Sequence, residues 1–142
     1  MARELLLIAL VVACGRDKQA APVIAIGAPL ASKPFYRVDA GPWSACASGT
    51  TCEARLVLTA LGDYHVNKDY PFKFVGDPAP AIAVDGDGSF ALDDARNGTM
   101  TIKFRPTAAG TAKLTGTFKL SVCSADTCEI ETPRLELAVP VS

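Results

Sequence analysis

The feature that most constrains the fold is an alternation of apolar and polar residues, strongest over residues 113–139. The apolar members of the first run share one parity: Leu114, Phe118, Leu120 and Val122. The second run, after a short polar loop, repeats the pattern with Leu135, Leu137 and Val139. Successive side chains of a strand point to opposite faces, so each run predicts a strand with one buried face. The loop between them predicts a hairpin.

Shorter runs of the same kind recur along the chain, separated by turns that contain glycine or proline. The ranges predicted as strands are 35–39, 53–61, two segments within 64–74, 81–84 and 99–105. Residues 53–61 also fit a short helix, but the neighbouring β signals favour a strand, and the rest of 76–94 is predicted as loop. With no convincing amphipathic helix, about seven strands predict an all-β fold, an immunoglobulin-like antiparallel β-sandwich.

The chain has 142 residues and a formal net charge of -1. This length suits one domain with a substantial core. The near-zero charge gives no electrostatic reason to expect nucleic acid as a partner. No pattern in the sequence predicts a cofactor.

The first residues predict a compartment. Residues 5–13 form an apolar run after a short basic start, far below the roughly 20 residues that span a bilayer. The run has the size of a signal-peptide core, and its end, Val11-Val-Ala-Cys14, resembles the lipobox of bacterial lipoproteins. This resemblance implies a signal peptide over 1–13, lipidation of Cys14 and attachment to a membrane on the periplasmic side of the cell envelope. The alternative is an ordinary signal peptide with a chance cysteine.

Residues 14–33, rich in alanine, proline and scattered charge, are interpreted as a flexible tether, and residues 34–142 as the sandwich. Setting Cys14 apart from the five cysteines leaves an even number in an oxidising compartment. Four cysteines allow three connectivities. The short spacings favour two local pairs, Cys46 with Cys52 and Cys123 with Cys128. A zinc site fits less well, because zinc pairs are usually spaced more closely and often include histidine.

Two further candidates have simpler interpretations. His65 is the single histidine, and without a placed serine, cysteine or carboxylate partner it predicts a structural or exposed side chain, not a catalytic base. The stretch Asp85-Gly-Asp-Gly88 has some features of a calcium loop. It lacks the ligand spacing and the closing glutamate of an EF-hand, and so predicts a glycine turn between strands.

Two stretches carry a resemblance to a known family: GTFKLSVCSADTC at 116–128 and GDYHVN at 62–67. They resemble the N-terminal periplasmic domain of the protein-disulfide reductase DsbD family. The resemblance implies an immunoglobulin-like fold and identifies Cys123 and Cys128 with the catalytic pair that cycles between dithiol and disulfide. It also implies thioredoxin-like periplasmic proteins as partners. Cys46 and Cys52 are not part of the family pattern and are interpreted as a structural disulfide.

Two functions therefore stay open. One is a lipid-anchored domain that passes electrons through Cys123 and Cys128. The other is a non-catalytic binding or structural lipoprotein stabilised by two disulfides. The hairpin loop contains no basic residue to favour a thiolate, while Asp126 and Glu129 disfavour one. Such a pair suits exchange with a better nucleophile, and it equally suits a structural disulfide.

Overall fold

The structure is a computed structural model that describes residues 28–142. The predicted signal peptide, Cys14 and the predicted tether as far as residue 27 lie outside the described residues and stay predictions. Within residues 28–142 there are ten strands and no helix, so this part of the chain holds no helix that could cross a bilayer.

The strands follow one another with short connections. They are β1 (Ala31–Lys33), β2 (Tyr36–Ala40), β3 (Cys52–Ala60), β4 (His65–Val66), β5 (Lys73–Gly76), β6 (Ile82–Leu92), β7 (Asn97–Pro106), β8 (Gly110–Cys123), β9 (Cys128–Glu131) and β10 (Arg134–Val141). Four of the ten, β1, β4, β5 and β9, have only two to four residues. Strands this short carry little alternation, which explains why the sequence pattern predicts about seven strands.

Two antiparallel sheets form a sandwich, as the sequence predicts. One sheet has the order β1-β2-β3-β7-β6. In the second sheet, β8 is central and pairs with each of the four remaining strands of that sheet, β4, β5, β9 and β10. Since β9 and β4 both pair with the end of β8, they lie on its two opposite edges. In the same way, β10 and β5 flank its middle.

The predicted alternation places the core between the sheets. Every second residue of β3 is buried, and β7 shows the same alternation. On β8 the inward positions from Ala112 to Val122 are buried, and they pack with β10 residues such as Leu135 and Leu137 in one hydrophobic core. Apolar burial on this scale is the main driving force for the fold.

Two parts of the structure differ from the sequence prediction. Residues 31–33, assigned to the tether, form β1 because Leu30 and Ala31 pack against the core and the backbone pairs with β2. Residues 76–94, predicted mostly as loop, contain the 11-residue strand β6. Its pairing with β7 shifts register between Asp85 and Ser89, where Gly86 and Gly88 have φ of 70° and 79°. The glycines therefore form a bulge within one strand, not a turn between two.

Candidate functional site

The hairpin between β8 and β9 carries the candidate pair of cysteines. Its turn is closed by the backbone N–H of Ser124, which donates to the carbonyl of Thr127 at 2.8 Å. The hydroxyl oxygen of Ser124 accepts hydrogen bonds from the N–H groups of Asp126 and Thr127, both at 3.3 Å. A serine at the start of a turn commonly supplies such bonds. The turn sets the register in which Cys123 lies directly opposite Cys128.

Both disulfides predicted from the spacing are present. Cys123 is linked to Cys128 across the hairpin, with their Cα atoms 4.0 Å apart. Cys46 is linked to Cys52 across the turn that precedes β3, with a Cα–Cα distance of 5.5 Å. The local connectivity is therefore confirmed, whereas a redox role is a separate question.

The two disulfides differ in exposure. Cys46 and Cys52 are both buried, at 6% and 5% exposure, and belong to the hydrophobic core. In the other pair Cys123 is buried at 6% exposure while Cys128 is exposed. Thiol–disulfide exchange requires an incoming thiolate to reach one sulfur of the bond. Cys128 is the cysteine of the four that offers this access.

The Cys123–Cys128 pair lies on the outer face of its sheet. Leu120 and Val122 point into the core, so Ser121 and Cys123 point the other way. Ser121 is nevertheless fully buried, and its hydroxyl lies 3.3 Å from the side-chain amide of Asn67, which donates to it. The segment around β4 thus limits access to β8 on this face, whereas β9 leaves Cys128 open.

An ion pair connects the hairpin to the first strand of the other sheet. The ammonium nitrogen of Lys33 lies 2.7 Å from a carboxylate oxygen of Glu131, whose side chain is 18% exposed. The hydrogen bond to Glu131 raises the pKa of Lys33, and the charges of Glu131 and Glu129 act in the same direction. This contact holds β9, and with it Cys128, against the rim of the sandwich.

Aromatic side chains of residues 64–74 pack toward the core and do not form a groove around the cysteine pair. Phe35, Tyr64, Phe72 and Phe90 pack against the core, and Phe72 stacks on Phe90 with ring centroids 3.8 Å apart. The dense aromatic content of residues 64–74 therefore serves packing between the sheets. Instead of an aromatic groove, a cavity of about 210 Å³ lies between the β4 segment and the turn that joins β6 to β7, lined by residues 65–69 together with Leu92 and Ala95.

The second cysteine pair and the two aspartates of the candidate calcium loop lie in two separate places. The Cys46–Cys52 disulfide borders an open cavity of about 560 Å³ formed with Trp43 and the end of β10. Asp85 and Asp87 lie in the bulge of β6, and no group of three or more histidine, cysteine or acidic side chains within residues 28–142 is arranged to hold a metal.

His65 lies next to the candidate pair. It is exposed, in line with its interpretation as a structural or exposed side chain, and it pairs in register with Cys123. Their separation by 58 positions in the sequence hides this relation, because pairing between distant strands leaves no local pattern. The GDYHVN stretch at 62–67, which carries part of the family resemblance, is the one signal in the sequence that associates this segment with the hairpin.

No family model, curated protein or solved structure matches this chain. The similarity to the DsbD family therefore rests on residues 62–67 and 116–128 alone and stays a hypothesis.

Proposed function

We propose that this protein is a thiol–disulfide exchange domain that works through Cys123 and Cys128. The observation that carries the proposal is the asymmetry of this disulfide, with one exposed and one buried cysteine at a hairpin turn. A fully buried disulfide cannot be reached by a protein thiol, whereas an accessible one can. The Cys46–Cys52 disulfide, buried at both ends, is then structural.

The reaction follows from this geometry. A thiolate of a dithiol protein attacks the sulfur of Cys128, and the Cys123–Cys128 bond breaks with its electron pair on Cys123. Cys128 is now joined to the partner in a mixed disulfide. The thiolate of the partner's second cysteine then attacks the sulfur of the partner's first cysteine in the mixed disulfide and releases Cys128. The partner leaves as a disulfide, and this domain has gained two electrons and two protons; the reverse sequence passes them on.

Thioredoxin-like proteins are the proposed partners, and the cell envelope is the proposed place. The hairpin turn contains the acidic Asp126 and no basic residue, which leaves the pair dependent on a better nucleophile, a role that a low-pKa thiol of the thioredoxin type fills. The Val11-Val-Ala-Cys14 stretch supports a lipid anchor on the periplasmic side of a bacterial membrane. Stable disulfides also suit that oxidising compartment.

A trapping experiment tests which cysteine is attacked. The oxidised protein is mixed with a thioredoxin that keeps only its attacking cysteine, quenched with acid and mapped by peptide mass spectrometry. We expect the mixed disulfide on Cys128, because this is the exposed cysteine. Material linked through Cys123, Cys46 or Cys52 should be minor.

Two controls define the outcome. The Cys128→Ser variant should form no link at the hairpin, and a thioredoxin without its attacking cysteine should form none anywhere. Absence of a mixed disulfide with the unaltered protein would contradict the proposal. It would favour the alternative, a binding or structural lipoprotein in which the buried Cys123 belongs to a structural hairpin link.

A further inference from the structure

The register of the second sheet places His65 beside the buried sulfur of the candidate pair. His65 on β4 is the direct partner of Cys123 on one edge of β8, and Cys128 on β9 is the direct partner of Cys123 on the other edge. The backbone N–H of Asn67 donates to the carbonyl of Ser121 at 3.1 Å, which fixes this register two residues further along. Direct partners in antiparallel strands project from the same face with Cβ atoms about 5 Å apart. His65, Cys123 and Cys128 thus form one row across the outer face.

A thiolate at Cys123 needs a cationic neighbour. Cys123 is 6% exposed, and burial disfavours the charged form of a thiol. On the same face of β8 the next cation is Lys119, four residues along the strand and therefore roughly 13 Å away. His65 is the titratable residue that the described part of the chain sets directly opposite Cys123.

The remaining charged groups around this row make other contacts, lie on the opposite face of the sheet or are exposed to solvent. Asp94 accepts hydrogen bonds from the side chain of Asn97 and the N–H of Arg96, which lower its pKa, and Arg96 donates to the carbonyl of Gly62. Glu129 pairs with Val122 and so lies on the opposite face from Cys123. The other charged residues of the neighbouring turns are exposed: Lys68, Asp69, Asp93 and Asp126.

We propose that His65 is the acid partner of Cys123 in the exchange reaction. When the partner's thiolate attacks Cys128, the electron pair of the broken bond goes to the sulfur of Cys123. The protonated imidazole of His65 stabilises that thiolate by charge and then supplies its proton, so that Cys123 ends as a thiol and His65 as neutral imidazole. In the reverse direction neutral His65 takes the proton from Cys123 before its sulfur re-forms the disulfide. The inference rests on the proposed function, but it can be tested without a protein partner, through the reactivity of Cys123.

The measurement is the rate at which iodoacetamide alkylates Cys123 in the full chain between pH 6 and pH 9. The Cys128→Ser background leaves Cys123 as the single thiol of the pair, and peptide mass spectrometry reports it separately from other cysteines. Because only the thiolate reacts, the rate follows the thiolate fraction. We expect His65→Gln to slow alkylation about three- to tenfold at pH 6, because a cationic imidazole favours the neighbouring thiolate. The difference should vanish by pH 9, because a neutral imidazole supplies no charge.

Two further variants separate charge from structure. His65→Lys keeps a positive charge at the position and should restore fast alkylation at pH 6. Lys68→Gln removes an exposed neighbouring charge that does not pair in register with Cys123 and should leave the profile unchanged. The inference is overturned if His65→Gln has the profile of the parent protein or is slowed equally at every pH. It is also overturned if His65→Lys fails to restore the rate or if Lys68→Gln gives the same loss as His65→Gln.

These outcomes are distinct from a failure of the proposed function. A protein that forms no mixed disulfide with a thioredoxin, yet shows the His65-dependent alkylation, would refute exchange and retain the pairing of His65 with Cys123. A protein that forms the mixed disulfide normally but shows no effect of His65 would retain exchange and refute the pairing.

Discussion

Gly116 shows, at the scale of a single residue, how closely the strands of the second sheet approach one another. A Cβ atom at this position would lie 2.5 Å from the carbonyl oxygen of Val75 and 2.6 Å from the ring of Phe74. Phe74 is itself fully buried. Only glycine lets this ring lie over β8, and the neighbouring hairpin is built on the same strand.

We therefore expect Gly116→Ala to destabilise the fold by about 1–3 kcal/mol, because backbone and ring must both move. Urea unfolding measures this free energy. Thr117→Ala, one residue further along β8, is the matched control and should cost less than about 1 kcal/mol. Equal losses in the two variants would mean that Gly116 makes no close contact.

At the scale of elements, the turn between β2 and β3 is hydrogen-bonded to Ser142, the residue that follows β10. The N–H of Ser142 donates to the carbonyl of Cys46 at 2.8 Å, and the N–H of Ser48 donates to the carbonyl of Ser142 at 3.0 Å. The Cys46–Cys52 disulfide closes this turn and is buried against the core. Its position far from the β8–β9 hairpin in the sequence and in the sheets fits a structural role.

Replacing both Cys46 and Cys52 by serine should lower the free energy of unfolding by about 2 kcal/mol, since the short loop gains freedom in the unfolded chain. Chemical denaturation measures the change. Alkylation of the reduced Cys123–Cys128 pair serves as the control and should be unaffected. If alkylation at the hairpin decreased along with the free energy of unfolding, the two disulfides would be coupled.

At the scale of the whole molecule, we propose a β-sandwich attached to a membrane by a lipid at Cys14. Residues 5–14 support the lipid, because their apolar run ends at a small residue and a cysteine.

Changing Cys14 to serine should release the protein from the membrane fraction or block its processing. Fractionation and the intact mass of the mature protein give the result. A variant that keeps both the membrane attachment and the mature mass of the parent would contradict lipidation at Cys14.

The sequence predicts those parts of the fold whose signal is local. Alternation over 53–61, 99–105 and 113–122 predicts β3, β7 and β8, and the two short cysteine spacings predict both disulfides. The glycines at 86 and 88 conceal β6, because a bulge interrupts the alternation that would reveal the strand. The exposure of Cys128 and the position of His65 opposite Cys123 depend on the packing of distant segments, which no local pattern encodes.

The most direct test of the redox proposal is a titration of both disulfides in one sample against glutathione or dithiothreitol buffers. Alkylation and peptide mass spectrometry report the reduced fraction of each pair separately. We expect the Cys123–Cys128 pair to have a reduction potential within the range of about -120 to -270 mV found for redox-active proteins. The Cys46–Cys52 pair should lie below about -300 mV, as structural disulfides do. A Cys123–Cys128 potential as low as that of Cys46–Cys52 would contradict a role in electron transfer.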